Sequence, residues 1–209
     1  MLTINPDRDL LLAIDIQNDF CPGGALAVSA GDEVIAPTNR LLQRFAHAAL
    51  TQDWHPANHS SFAANHLRAE PFQTVEMPYG AQTLWPIHCV QGTRGAEFAP
   101  GLDVERAELV LRKGFRSDVD SYSAFFENDR RTPTGLAGWA QERGFARLFL
   151  TGLATDFCVS FSALDAARLG FETHVVIDAC RGIDLGSSVA AARQSWQEAG
   201  VREIFANEI

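Results

Sequence analysis

Two charged residues follow apolar, strand-like segments and could carry acid–base chemistry. Asp15 follows the apolar run Leu10–Ile14, and Lys113 comes shortly after Leu109–Leu111. In open α/β sheets, ligands bind beyond the carboxyl ends of the strands, so we expect both side chains at that edge. Two interpretations stay open: a structural ion pair, or a general acid–base carboxylate that the lysine orients and balances.

Cys158 is the candidate nucleophile. It lies in the segment TGLATDFCVS (151–160), directly after a predicted strand. Thr155 or Asp156 is predicted to cap a helix over 156–169, which would put the thiol in the first helical turn, where partial positive charge stabilises a thiolate. Backbone N–H groups of that turn could also bind an oxyanion. The alternative is a small, buried apolar side chain.

A carboxylate and several imidazoles suggest a divalent metal site. Asp53 and His55 are two residues apart, so in an extended segment they point to one side and Trp54 to the other. His59 and His88 belong to the same irregular stretch and could supply further ligands. A solvated surface pair is the competing interpretation.

Aromatic residues in loop-like stretches could bind a flat substrate ring. Phe20 and Trp85 have Gly or Pro neighbours, whereas Trp54 is expected to pack in the core. Tyr122 is a further aromatic near these elements. The chain has neither a GxGxxG nor a GxxxxGKS/T segment, so nucleotide binding through those motifs is not predicted.

The elements that must position these residues alternate between strands and helices. Six short apolar segments predict strands: Leu10–Ile14, Ala48–Thr51, Leu109–Leu111, Arg147–Thr151, His174–Ile177 and Glu203–Ala206. Helical patterns lie at about 33–46, 134–143, 156–169 and 187–199. This alternation predicts an α/β fold with a mostly parallel sheet covered on both faces. The long irregular segment at about 54–107 interrupts the alternation, and so long a loop is usually functional.

Composition limits the possible classes of protein. With 209 residues, 46% apolar and 21% charged, the chain is expected to form a single globular domain over 1–209. The longest apolar run has five residues, so no membrane-spanning helix is predicted. A net charge of −9 argues against nucleic acid and anionic membranes as partners. Four dispersed cysteines, with no secretory signal visible in MLTINPDRDL, predict a reduced, cytoplasmic protein.

Five stretches, in order along the chain, resemble the nicotinamidases (pyrazinamidase-type) of the isochorismatase-like hydrolase superfamily. They are DIQNDFCPGGALAV (15–28), TQDWHPANHSSFA (51–63), WPIHCVQGTRGAEF (85–98), RKGFRSDVDSYSAFF (112–126) and GLATDFCVSFSALDA (152–166). The resemblance implies a three-layer α/β fold with a six-stranded, mostly parallel sheet. It also implies a catalytic triad of Asp15, Lys113 and Cys158.

The same resemblance implies the binding groups. Asp53, His55 and His88 would hold one divalent metal ion, zinc, iron or manganese, and His59 matches a position that is a further ligand only in some members. Phe20 and Trp85 would hold a pyridine ring. Leu153–Ala154 matches a cis peptide that shapes the oxyanion hole, with Ala154 contributing its N–H. Phe157 departs from the family, where a more polar ring such as His or Tyr is common.

The implied reaction is hydrolysis of nicotinamide to nicotinate and ammonia through a cysteine thioester, which serves NAD salvage. A related cysteine amidase acting on another small amide is the alternative. Isochorismatase chemistry needs no thiol, so Cys158 and the predicted metal ligands speak against it. An inactive binding module on the same fold is disfavoured because all three triad residues are present. The partner is expected to be a small molecule, and homo-oligomer formation stays open.

Overall fold

The computed structural model describes all residues, 1–209, and contains two sheets. In chain order the strands are β1 (Asp9–Ile14), β2 (Ala48–Asp53), β3 (Thr74–Met77), β4 (Gly80–Thr83), β5 (Leu109–Lys113), β6 (Arg147–Leu153), β7 (Glu172–Arg181) and β8 (Arg202–Ile204). The main sheet has the order β5-β2-β1-β6-β7-β8, and all its neighbouring pairs are parallel. The predicted parallel sheet is therefore confirmed, with six strands.

Four α-helices connect and cover this sheet: α1 (Ile35–Leu42), α2 (Leu136–Glu142), α3 (Ser160–Arg168) and α4 (Ser188–Ala199). Every residue of β1 and β2 is buried, which requires cover on both faces of the sheet. Helix α1 packs against β1, β6 and β7, while α3 packs against β7 and α4. None of the helices combines the length and the apolar character that crossing a bilayer requires.

Two helices begin differently from the sequence prediction. The helix predicted over 33–46 begins as a 3₁₀ turn at Gly31–Val34 and continues as α1, with Pro37 in the first α-helical turn, where its missing N–H costs little. The helix predicted over 156–169 begins as a π-helical turn at Thr155–Val159. The strand predicted at Glu203–Ala206 ends at Ile204, because its parallel pairing with β7 ends there.

The segment at about 54–107 contains an antiparallel hairpin, β3–β4, which sequence reasoning did not predict. Its strands have only four residues each, and their alternating burial is too short to give a periodic signal. The rest of the segment is irregular and includes three 3₁₀ turns, Ala63–Asn65, Arg94–Ala96 and Val104–Arg106. Isolated bridges join His55 to Val90 and Phe62 to Trp85 within the segment, and another joins Phe98 to Gln17 outside it.

Candidate active site

Lys113 is the centre of a buried charge cluster at the carboxyl edge of the sheet. It ends β5 and lies opposite Asp53, the last residue of β2, in the parallel ladder. Its ammonium lies 2.8 Å from Oδ2 of Asp15, donates to the Ser121 carbonyl at 2.9 Å, and pairs with Oδ1 of Asp53. The structure thus brings Asp15 and Lys113 together although β1 and β5 are not neighbours. The lysine side chain reaches across the end of β2.

Cys158 lies beside this cluster. Its Sγ is 3.4 Å from Nζ of Lys113, and Asp15, Asp53 and Cys158 bring one ligand atom each within 4.8 Å of one another. The Leu153–Ala154 peptide before it is cis, as the resemblance implied. All three residues predicted to perform acid–base and nucleophilic chemistry therefore share one buried location.

The predicted helix cap is wrong. The N-cap residue of the π-helical turn is Ala154, and no side chain caps the turn. The Asp156 carboxylate instead accepts the backbone N–H groups of Ile183 and Asp184, at 3.0 and 2.8 Å, and the hydroxyl of Ser188 at 2.5 Å. The Asp156 side chain does not cap its own turn because it accepts hydrogen bonds from these three donors, which are distant in the sequence.

The protonation states follow from burial and from charge. Burial raises the pKa of the Cys158 thiol well above its usual value, and the nearby Lys113 only partly offsets this. Burial also raises the pKa of Asp15 to about 6, with Lys113 opposing the shift and Asp53 adding to it. Burial disfavours the charge on Lys113, but Asp15 and Asp53 raise its pKa well above the usual value. At neutral pH the site therefore holds a thiol, a charged lysine and a carboxylate able to accept a proton.

Three predicted metal ligands converge next to the charge cluster. Oδ2 of Asp53 lies 3.6 Å from Nε2 of His55 and 4.0 Å from Nε2 of His88. Each imidazole donates its Nδ1–H to a backbone carbonyl at 2.8 Å, that of Gly114 for His55 and that of Pro86 for His88. These bonds leave both Nε2 lone pairs directed at the shared space, which is the arrangement of histidine ligands with outer partners. Gly114 is required here because a Cβ on it would lie 2.4 Å from Cε1 of His55.

Burial and charge suit His88 and Asp53 to bind a cation, whereas His55 differs: burial alone would lower its pKa, but Asp53 raises it above the usual value. Burial lowers the pKa of His88 to about 4, helped by the neighbouring His55, so its imidazole is neutral. Burial alone would raise the pKa of Asp53, but Lys113 and His55 lower it, so its carboxylate is ionised. A neutral imidazole and an ionised carboxylate are the forms that ligate a metal. The donor set fits a divalent ion.

His59 lies beside the metal group, which is formed by Asp53, His55 and His88, but both of its ring nitrogens contact other residues. Its ring centroid is 4.3 Å from that of His55. Its Nδ1 bonds the Ser61 hydroxyl at 2.7 Å and its Nε2 lies 3.3 Å from the Val119 carbonyl. With His55 and Asp120 it forms a second group whose ligand atoms lie within 4.8 Å of one another.

One cavity opens onto the Cys158 thiol and onto the three predicted metal ligands. It is lined by Phe20, Leu26, Asp53, His55, Trp85, His88, Asp120, Tyr122, Ala154, Phe157, Cys158 and Ile183. Trp85 makes an edge-to-face contact with Phe157, with the ring centroids 4.8 Å apart. Its Nε1–H also donates a hydrogen bond of 3.0 Å to the Tyr122 hydroxyl oxygen, and both contacts hold the indole in place. All three predicted substrate contacts, Phe20, Trp85 and Ala154, belong to this wall.

Sequence reasoning missed several residues that build the site. Leu26 and Asp120 line the cavity and lie within the family-like stretches, so the resemblance contained their signal. Ile183 also lines the cavity but lies outside the five family-like stretches, so no signal in the sequence pointed to it. Gln17 was also missed: its side-chain amide donates to the Asp53 carbonyl and accepts the Asp53 N–H, each at 2.8 Å. Thr51 was missed too, and its hydroxyl donates to Oδ1 of Asp15 at 2.6 Å.

Comparisons with known proteins point to one family. The isochorismatase domain family matches residues 9–204. A curated nicotinamidase of Acinetobacter baylyi is 50% identical over 199 residues, covering 95% of this chain and 93% of the relative. The solved nicotinamidase pyrazinamidase of Acinetobacter baumanii superimposes with a TM-score of 0.97 at 50% identity, covering 98% of this chain and 99% of the other.

Two further solved structures are similar and hold ligands. A protein of L. infantum, solved in complex with nicotinate, has a TM-score of 0.87 and 36% identity, with 99% of this chain and 96% of the other covered. The pyrazinamidase of Pyrococcus horikoshii, solved in complex with zinc, has a TM-score of 0.77 and 33% identity. That match covers 95% of this chain and 99% of the other.

Proposed function

The chain belongs to the isochorismatase domain family, and from that premise we propose that it hydrolyses nicotinamide to nicotinate and ammonia. The observation that carries the proposal is one cavity whose wall contains both a thiol next to an acid–base pair and a group of metal ligands. The similar curated and solved nicotinamidases support the same activity. In a cell the reaction would serve NAD salvage.

Cys158 attacks the carboxamide carbon, and Asp15 handles the protons. Because the thiol has a raised pKa, it needs a base, and Asp15 is the ionised carboxylate beside it. As the S–C bond forms, the thiol proton passes to Asp15, which then gives it to the departing nitrogen as the C–N bond breaks. Water next adds to the thioester carbon and loses a proton to Asp15. Release of nicotinate breaks the C–S bond and returns a proton to the sulfur.

Lys113 and the backbone stabilise the charges that develop during these steps. Lys113 stays protonated and balances Asp15 when that carboxylate is ionised. The N–H groups of Ala154 and Cys158 are proposed to bind the carbonyl oxygen as it becomes negative. Phe20 and Trp85 would hold the flat ring so that the carboxamide faces the sulfur.

Asp53, His55 and His88 are the proposed ligands of one divalent ion. Their buried donor atoms fit such an ion, and the zinc complex of the Pyrococcus protein supports zinc among the candidates zinc, iron and manganese. When bound there, the ion would supply a Lewis-acid site for the pyridine nitrogen.

The test is ammonia release from nicotinamide by the purified chain, with and without a metal chelator. We expect turnover that falls when the chelator is present. No ammonia release from nicotinamide, with release from another small amide, would favour the alternative amidase. The assignment of residues 1–209 to a single domain and the cytoplasmic location remain predictions from the sequence.

A further inference from the structure

The residue after His88 joins the two imidazole ligands through its backbone. Cys89 has φ +45°, a conformation that residues with a side chain rarely adopt. Its carbonyl accepts the backbone N–H of His55 at 3.0 Å. Its own N–H donates to Oδ2 of Asp19 at 2.7 Å. The Cys89 backbone is thus hydrogen-bonded to one ligand residue and covalently bonded to the other, and a side chain holds it there.

Asp19 lies outside both the metal group and the charge cluster. It belongs to the 3₁₀ turn Asn18–Phe20, which follows the strand end that carries Asp15. Its second oxygen, Oδ1, accepts the Ala25 N–H at 3.2 Å, so both carboxylate oxygens bind backbone N–H groups. The ring of the next residue, Phe20, lies 5.5 Å from the ring of His88. This turn therefore contacts the His88–Cys89 segment twice.

The environment of Gly95 is independent evidence that the Asp19 carboxylate must occupy this position. A Cβ on Gly95 would lie 2.1 Å from Oδ2 of Asp19 and 2.4 Å from its Cγ. The backbone of Gly95 is not in the left-handed region, so its conformation alone does not demand glycine. The missing side chain is explained by the space that the Asp19 carboxylate occupies.

We propose that Asp19 is a positioning residue for the metal site, and that Gly95 supplies the room it needs. By holding the Cys89 N–H, Asp19 keeps His88 and the backbone of His55 in the geometry that directs both imidazoles at one point. It touches neither substrate nor ligand atoms and acts through Cys89. Outer partners of metal ligands commonly have this effect on affinity. The inference rests on the proposed function, because it assumes that these ligands hold a metal.

The test is the Zn²⁺ affinity of the full chain, measured by competition with a chromophoric chelator. Asp19→Ala should weaken Zn²⁺ binding by about tenfold or more. Asp19→Asn keeps an oxygen that can accept the Cys89 N–H, so it should restore most of the lost affinity. Asp32→Ala is the matched control, because Asp32 is exposed and its change should leave affinity unaltered. Saturating Zn²⁺ should return kcat of Asp19→Ala towards the wild-type value, since the triad is intact.

A second route uses the glycine. Gly95→Ala should displace the Asp19 carboxylate and weaken Zn²⁺ binding to a similar extent. Gly138→Ala, in α2 with no atom within 4 Å of the new Cβ, is its control. Combining Gly95→Ala with Asp19→Ala should add little further loss, because both changes remove the same contact. Thermal unfolding of the metal-free variants checks that each one folds.

Three results would overturn the inference. Asp19→Ala that binds Zn²⁺ as tightly as the wild type would remove the role of Asp19 while leaving the proposed metal site intact. Fully additive losses in the double variant would show that the two residues act separately. A wild-type chain without Zn²⁺ affinity would overturn the proposed metal site as well. Should Asp19→Ala not fold, Gly95→Ala and Asp19→Asn decide the question.

Discussion

Asp53 pairs with Lys113 through one carboxylate oxygen and faces the imidazoles of His55 and His88 through the other. Oδ1 contacts the lysine ammonium, whereas Oδ2 lies 3.6 Å from His55 and 4.0 Å from His88. One side chain thus joins the proposed acid–base pair to the proposed metal ligands. The residue opposite it in the ladder, Lys113, is therefore shared by two carboxylates with different proposed roles.

Removing that shared cation should damage both rate and stability. Lys113→Met keeps the length of the side chain but leaves Asp15 and Asp53 buried without their counter-ion. Unpairing a buried charge typically costs about 3–5 kcal/mol, so the melting temperature should fall by several degrees. We expect kcat to fall by about 10² or more, as for loss of an acid–base group. Near-normal kcat would mean that the lysine is only structural.

Cys158→Ala should abolish turnover and leave the fold intact, because the change removes the attacking sulfur and little volume. Ammonia release and the unfolding temperature check the two halves of this prediction. Cys180→Ala is the control: it removes another buried thiol and should retain activity. Alkylation of the wild type should inactivate it, and nicotinamide should protect. Measurable turnover by Cys158→Ala would refute the thioester route.

The pH profile should report Asp15. Its pKa is raised to about 6, and only the ionised form can take the thiol proton, so kcat/KM should rise with pH and level off above about 6. Asp15→Asn should lower kcat by about 10² or more and remove this acidic limb. An acidic limb near the ordinary aspartate value would contradict the assignment.

The ring nitrogen of the substrate tests the proposed metal role. Benzamide has the carboxamide but no pyridine nitrogen, so it loses the contact that orients it towards Cys158. We expect its kcat/KM to be far below that of nicotinamide in the metal-loaded enzyme. After chelation the two amides should be hydrolysed at similarly low rates. Equal rates with metal present would favour the broader amidase.

Much of the site was predictable because its chemical groups lie in short, local stretches. Asp15 and Lys113 stand at the ends of apolar strands, and the alternation of strands and helices places those ends at one edge of a parallel sheet. The side chains of Asp53 and His55 point the same way because successive side chains of an extended chain point to opposite faces. The type of fold and the identity of the candidate residues follow from such local patterns, together with the family resemblance.

Which of these residues are in contact depends on how the strands and loops pack in three dimensions. The strand order sets β2 between β1 and β5, so Lys113 meets Asp53 as well as Asp15. The hydrogen bonds of Asp156 with Ile183 and of Asp19 with Cys89 join residues that are 27 and 70 positions apart in the chain. No periodicity in the sequence encodes such contacts, because they depend on where distant loops meet once the core has packed.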